Sequence, residues 1–210
     1  MQNRTDIINA ALQRCGAAGV NLAFQDTQEA AIATAAYDRT RKLVLSQHPW
    51  SFAQKYVTLA QDVEAQPFGY RYSFRLPADC AMVVDLHPYE VNKDGTMREP
   101  KLMREPRAKI DIVGRAVVSN YPFLAMRYVT TEEADVPESF ANAVAWRLAF
   151  EIAPYLQQGT NQAAFFLQMY QQAVDEAKVE NDAEINPERV PDWKESPHIH
   201  AMRTHLEERW

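Results

Sequence analysis

Apolar residues recur every third or fourth position at both ends of the chain and every second position in its middle. Over residues 6–15, Ile8, Leu12 and Cys15 share one stripe with Ala11 beside it, which predicts a short helix. Thr5 is its expected N-cap and Gly16 its stop. A longer helix is expected to start at Asp26, with Glu29 as capping-box partner. Residues 27–47 are rich in alanine, which favours helix and lets helices approach closely. Ala33, Tyr37 and Val44 fall on one face, widened by Ile32, Ala36 and Leu43. Asp38 stands four residues before Lys42, a favourable helical pair, and Pro49 ends the segment.

The period then changes to two. In Gly69–Leu76, Tyr70, Tyr72, Phe74 and Leu76 face one way, and Arg71, Ser73 and Arg75 the other. This is the pattern of a half-buried strand, closed by Pro77. Further strands are expected at Tyr56–Val63, Met82–Leu86, Lys109–Val113, Ala116–Ser119 and Met126–Thr130. Val113-Gly114-Arg115-Ala116 reads as a two-residue hairpin with glycine first, as a type II′ turn requires.

Helical spacing returns at Pro137, a good first-turn residue. Phe140, Val144, Leu148, Ile152 and Tyr155 form the stripe, and Pro154 is expected to kink it. Gly159 is the next stop and Thr160 the next cap. Residues 161–181 then carry Phe165, Phe166, Met169, Tyr170, Ala173 and Ala177 on a further amphipathic helix. The outer helices must bury their stripes, and each other's is the nearest apolar surface. An α+β fold follows: a helical bundle formed by N- and C-terminal helices, with an inserted antiparallel β-rich domain. The divisions are 1–50 and 137–183 for the two halves of the bundle and 51–136 for the β-rich domain. Residues 184–210 are an extended C-terminal arm. Pro187, Pro191 and Pro197 break it, and Trp193, Ile199, Met202, Leu206 and Trp210 stand among charges. So few apolar residues cannot build a core. The arm either docks on another chain or straps its own domain.

Composition narrows the function classes. The 210 residues carry a net charge of -6, the opposite of the basic balance usual in a dedicated nucleic-acid binder. The charge is uneven: residues 137–183 hold two basic and six acidic side chains. Lys93, Arg98, Lys101, Arg104, Arg107 and Lys109 form a basic stretch, read as a solvated loop or as a surface facing an acidic neighbour or a phosphate backbone. Two cysteines, Cys15 and Cys80, exclude a disulfide scaffold and fit a reducing compartment. No apolar run approaches the roughly 18–20 residues of a membrane helix, and residues 1–6 lack a signal peptide's apolar stretch. Synthesis and folding in the cytoplasm are expected.

Catalytic patterns are missing. There is no glycine-rich phosphate loop and no Gly-x-Ser-x-Gly elbow. Cys80 has no histidine pattern and reads as a buried structural thiol. His198, His200 and His205 lack the cysteines or carboxylates that would complete a metal set. Glu132-Glu133 and Asp175-Glu176 are adjacent pairs, which do not supply two carboxylates across a cleft. His48-Pro49-Trp50 reads as a helix end packed by tryptophan. No enzyme activity, cofactor or metal is expected.

Several motifs stand in a telling order. Ala11-Leu12-x-x-Cys15-Gly16 is followed by Glu29-Ala30, Tyr37-Asp38-x-x-Arg41 and Leu45-x-x-His48-Pro49-Trp50-x-Phe52-Ala53. Tyr70-x-Tyr72-x-x-x-Leu76-Pro77-x-Asp79-Cys80, Tyr128, Pro137-x-x-Phe140 and Leu148-Ala149 come next. Over residues 7–180 this succession resembles the tail tubular protein A and head-to-tail adaptor proteins of short-tailed phages. The resemblance implies a structural virion protein at the tail neck, in a homo-oligomeric ring of commonly twelve subunits. The ring joins the portal to the tail nozzle or tube and forms part of the DNA ejection channel, without gripping the DNA. On that reading Asp175, Glu176, Glu180 and Asp182 are candidates for the channel lining. Ala33, Tyr37 and Arg41 are candidates for the subunit interface. Trp193, Ile199, Met202, Leu206 and Trp210 are candidates for docking on the portal. Two other readings stand beside it. One is a carbohydrate-active enzyme or glycan-binding module of a phage tail, using the aromatic strand at Tyr70–Phe74. The other is a cytoplasmic protein-interaction domain.

Overall fold

The computed structural model describes residues 2–16, 28–62, 69–91, 97–98, 110–156 and 160–185. Two helices open the chain, α1 (Arg4–Arg14) and α2 (Gln28–Leu45). Among the described residues, eight strands follow: β1 (Gln54–Thr58), β2 (Tyr72–Arg75), β3 (Cys80–Pro88), β4 (Glu90–Val91), β5 (Met97–Arg98), β6 (Ile110–Val113), β7 (Ala116–Ser119) and β8 (Leu124–Thr130). Then come α3 (Glu138–Ile152) and α4 (Thr160–Ile185). The α+β expectation holds, with helices from both ends of the chain packed together around α3. The expected arm at 184–210 falls, from residue 186 on, outside the described residues, as do Asp26 and Gly159.

The cap of α1 is Asn3, not Thr5. The Asn3 side chain accepts from the Asp6 amide at 3.0 Å, and the Asp6 carboxylate accepts from the Asn3 amide at 3.1 Å. A distant contact fixes this choice. Gln2 and Val136 exchange backbone hydrogen bonds at 3.0 and 3.2 Å, which holds the chain extended up to the cap. The expected stripe of α1 is buried, as are Ala33, Tyr37 and Val44 of α2. Asp38 does not pair with Lys42. It reaches back to Arg4 of α1, 3.3 Å away.

Pro137 is the N-cap of α3 rather than its first helical residue. Phe140, Val144, Leu148 and Ile152 are all buried. Pro154 stops α3 instead of kinking it, and residues 153–156 tighten into a 3₁₀ turn. The changed turn rotates Tyr155 off the stripe, leaving it 69% exposed. Along α4, Phe166, Tyr170, Ala173 and Ala177 are buried, whereas Phe165 is 50% exposed and packs edge-on against Trp146.

The strands form two three-stranded antiparallel sheets, ordered β1-β8-β3 and β2-β7-β6, and β4 pairs with β5. The first strand differs most from expectation. It pairs with β8 only as far as Thr58; the Leu59 amide then bonds to the Leu124 carbonyl at 2.8 Å. Two residues later Gln61 bridges Phe74, and the Asp62 amide donates to the Ser73 carbonyl at 2.7 Å. One chain segment thus leaves the first sheet and joins the second. Both sheets contribute to one core: Phe74 and Val117 meet Leu59, Leu124, Met126 and Tyr128. Ser73, expected to face outward, is buried beside its register partner Val118. The β6–β7 hairpin closes over Gly114, whose φ of 61° is the positive value that the two-residue turn needs. Val129 of β8 and Ala53 belong to the helical core, so the sheet and the bundle share buried surface.

Candidate functional site

The 26 residues of α4 run along α3. Their buried side is Phe166, Tyr170, Ala173, Val174, Ala177 and Asn181. The four acidic candidates Asp175, Glu176, Glu180 and Asp182 are all exposed on the rest of the helix. They do not form one stripe. At roughly 100° per residue, Asp175 and Asp182 lie together, and Glu176 and Glu180 lie together about 120° round the axis. Val179, 72% exposed, sits between the pairs. Asp175 pairs with Lys178 at 3.5 Å, and Glu176 accepts from Gln172 at 3.0 Å. Glu180 borders a narrow cleft lined by Trp50, Phe52 and Phe140.

Asp182 meets the end of α2, where the His48-Pro49-Trp50 motif lies. Pro49 and the tight turn around it aim His48 at α4. His48 Nε2 is 2.9 Å from Asp182 Oδ1 and 3.1 Å from Asn181 Nδ2. Asn181 Oδ1 accepts from the Ser51 amide at 2.7 Å. Trp50 is buried as expected. Its indole N–H donates to the Val44 carbonyl at 3.1 Å, and its ring meets Phe140 edge-on at 5.0 Å. Phe52 meets Phe140 at 4.9 Å. Tyr170 donates to Gln47 at 2.9 Å. The motif joins α2, the entry to β1, α3 and α4 at one point.

The interface candidates need correction. Ala33 and Tyr37 are buried in the chain's own bundle, against α1 and α3. Arg4 lies over the Tyr37 ring at 4.9 Å, and burial pushes the Tyr37 phenol upward. Arg41 is 6% exposed and donates to the carbonyls of Thr131 and Glu132. A helix face of small residues with one aromatic suits any close partner, and here the partner is the same chain. The docking candidates Trp193, Ile199, Met202, Leu206 and Trp210 lie outside the described residues, as do His198, His200 and His205. Of the basic stretch, the described residues include the backbone of Arg98 alone.

The aromatic strand is spent on packing. Phe74 is fully buried, and Tyr72 and Leu76 pack on the β core. One polar cluster lacked a sequence argument beyond its motif. Asp79 accepts from Thr130 Oγ1 at 2.7 Å and Tyr128 Oη at 3.1 Å, with Lys55 at 3.9 Å. Burial works to raise the Asp79 carboxyl. The two hydroxyls, a backbone amide and Lys55 together outweigh it and hold the carboxyl below the usual range. Burial and the Asp79 contact push Tyr128 up to about 12. The cluster ties β3 to β8. Cys80, expected as a buried thiol, opens β3 and is half-buried.

Among the described residues, no group of three or more His, Cys, Asp or Glu side chains is placed to hold a metal, and no helix is long and apolar enough to cross a membrane. No protein-family model matches the chain, and no curated protein matches it.

Proposed function

We propose that this chain is one subunit of a head-to-tail adaptor ring of a short-tailed phage. Copies of it would join the portal to the tail nozzle or tube and enclose a passage for DNA. The observation that carries the reading is the exposed side of α4. From residue 168 to 185 the helix holds five carboxylates and one lysine. A surface of that sign repels phosphates, so a duplex slides past it without being held. The order of motifs over residues 7–180 and the α+β architecture support the same reading.

The portal-docking role is assigned to the stretch after α4, residues 186–210, whose prolines and scattered apolar side chains in the sequence suit a segment that wraps a partner's surface. Mixing the chain with purified portal tests the reading. A defined large assembly by native mass measurement, with α4 facing the bore in images, is expected. Absence of an assembly ends the adaptor reading, and α4 on the outer rim ends the channel assignment. Changing Asp175, Glu176 and Glu180 to lysine is expected to leave assembly intact and slow DNA ejection. Deleting residues 186–210, which leaves all of α4 in place, is expected to abolish portal binding and leave the rest folded.

A further inference from the structure

The His48–Asn181–Asp182 contact contains a conflict that no single protonation state resolves. Asn181 cannot be turned over, because its Oδ1 accepts from the Ser51 backbone amide at 2.7 Å, and a backbone N–H can only donate. Its Nδ2 therefore faces His48 Nε2 as a donor, at 3.1 Å. That contact needs a lone pair on Nε2. Asp182 Oδ1, 2.9 Å from the same nitrogen, is an acceptor and needs a proton there.

We infer that protonation of His48 moves the anchor of α4's last turns from Asn181 to Asp182. In the neutral state Nδ1 carries the proton, Nε2 accepts from Asn181, and the exposed Asp182 carboxylate turns to water. In the charged state Nε2–H donates to Asp182, and the Asn181 amide gives up its ring contact. Histidine is the side chain whose charge ordinarily changes between pH 5 and 8. Among the described residues, few groups face the ring from neighbouring elements. From α4 come Asp182 and Asn181, with Glu184 one turn on, bonded to Ser51 Oγ at 3.3 Å. Trp50 meets the ring edge at 5.0 Å. The device is independent of the adaptor reading. Its effect is to neutralise one carboxylate of α4's acidic surface as pH falls.

Nitrogen-detected NMR of the full-length, ¹⁵N-labelled protein tests this directly. The His48 signals are those lost in His48→Gln. At pH 8 the Nδ1–H tautomer is expected, and acidification is expected to shift the Asn181 side-chain amide signals together with the ring nitrogens. An Nε2–H tautomer at pH 8 overturns the inference, because Asp182 would then hold the ring in both states.

Discussion

Arg41 Nη1 donates to the Thr131 carbonyl oxygen at 2.9 Å, across the gap between α2 and the segment leading from β8 to α3. Nη2 of the same guanidinium donates to the Glu132 carbonyl, also at 2.9 Å. No carboxylate forms an ion pair with this buried arginine among the described residues. The charge is held by two backbone dipoles, and the fork shape of the guanidinium lets one side chain satisfy both.

Arg41→Met keeps the apolar stem and removes the donors. It leaves two carbonyls without their partner, and a loss of about 3 kcal/mol in urea unfolding is expected. Arg41→Lys recovers only part of this, because an ammonium cannot span both oxygens in the same geometry. A change below about 0.5 kcal/mol in either variant would show that the strut is idle.

The Asp79 cluster makes stability depend on pH at both extremes. The folded Asp79 carboxyl lies below its unfolded value. Its contribution is therefore present above the ordinary aspartate range, near pH 4, and lost as pH falls through the folded value. Tyr128 is raised to about 12, so its contribution is present below the ordinary phenol range, near pH 10, and lost as pH climbs toward 12. Asp79→Asn is expected to flatten the acid limb of denaturation midpoint against pH, and Tyr128→Phe the alkaline limb. An unaltered acid limb in Asp79→Asn would remove the cluster from the account.

The two thiols differ in reach. Cys15 is 3% exposed, points at the Ala149 carbonyl 3.6 Å away, and is pushed up to about 11 by burial, against a smaller opposing pull from Arg14. Cys80 is half-buried, and burial raises it as well. A disulfide reagent at pH 8 is expected to modify one thiol slowly in the native protein and both in denaturant. Cys80→Ser should abolish the native reaction. Rapid native labelling of that variant would place Cys15 at the surface.

Phe140 joins the two halves of the chain through its edges to Trp50 and Phe52. Phe140→Ala opens a cavity at this meeting point, and a loss of about 3–5 kcal/mol is expected by thermal or chemical unfolding. Phe165→Ala, on the same bundle but half-exposed, is expected to cost under about 1 kcal/mol. Equal losses would mean that the junction carries no special share of the packing.

The helices and most strands were legible in the residue pattern, because periods of 3.6 and 2 are local properties that burial on one side imposes directly. Ile8, Leu12, Val144, Leu148 and Phe166 show this, as does the hairpin at Gly114, where a positive φ is a demand of the turn alone. The acidity of α4 was legible for the same reason. Tertiary structure decided what each face meets. Tyr37 and Arg41 lie on a face fit for any close-packed neighbour, and only folding showed that α1, α3 and the Thr131–Glu132 backbone occupy it. The cap passed from Thr5 to Asn3 through a bridge to Val136, 134 residues away. The strand after Gln54 changed sheets at Leu59, within the stretch Tyr56–Val63 that reads as one strand. Asp182 and His48 met because α4 returns past the end of α2. Contacts between distant residues depend on how whole elements pack, and no short window of sequence contains that packing.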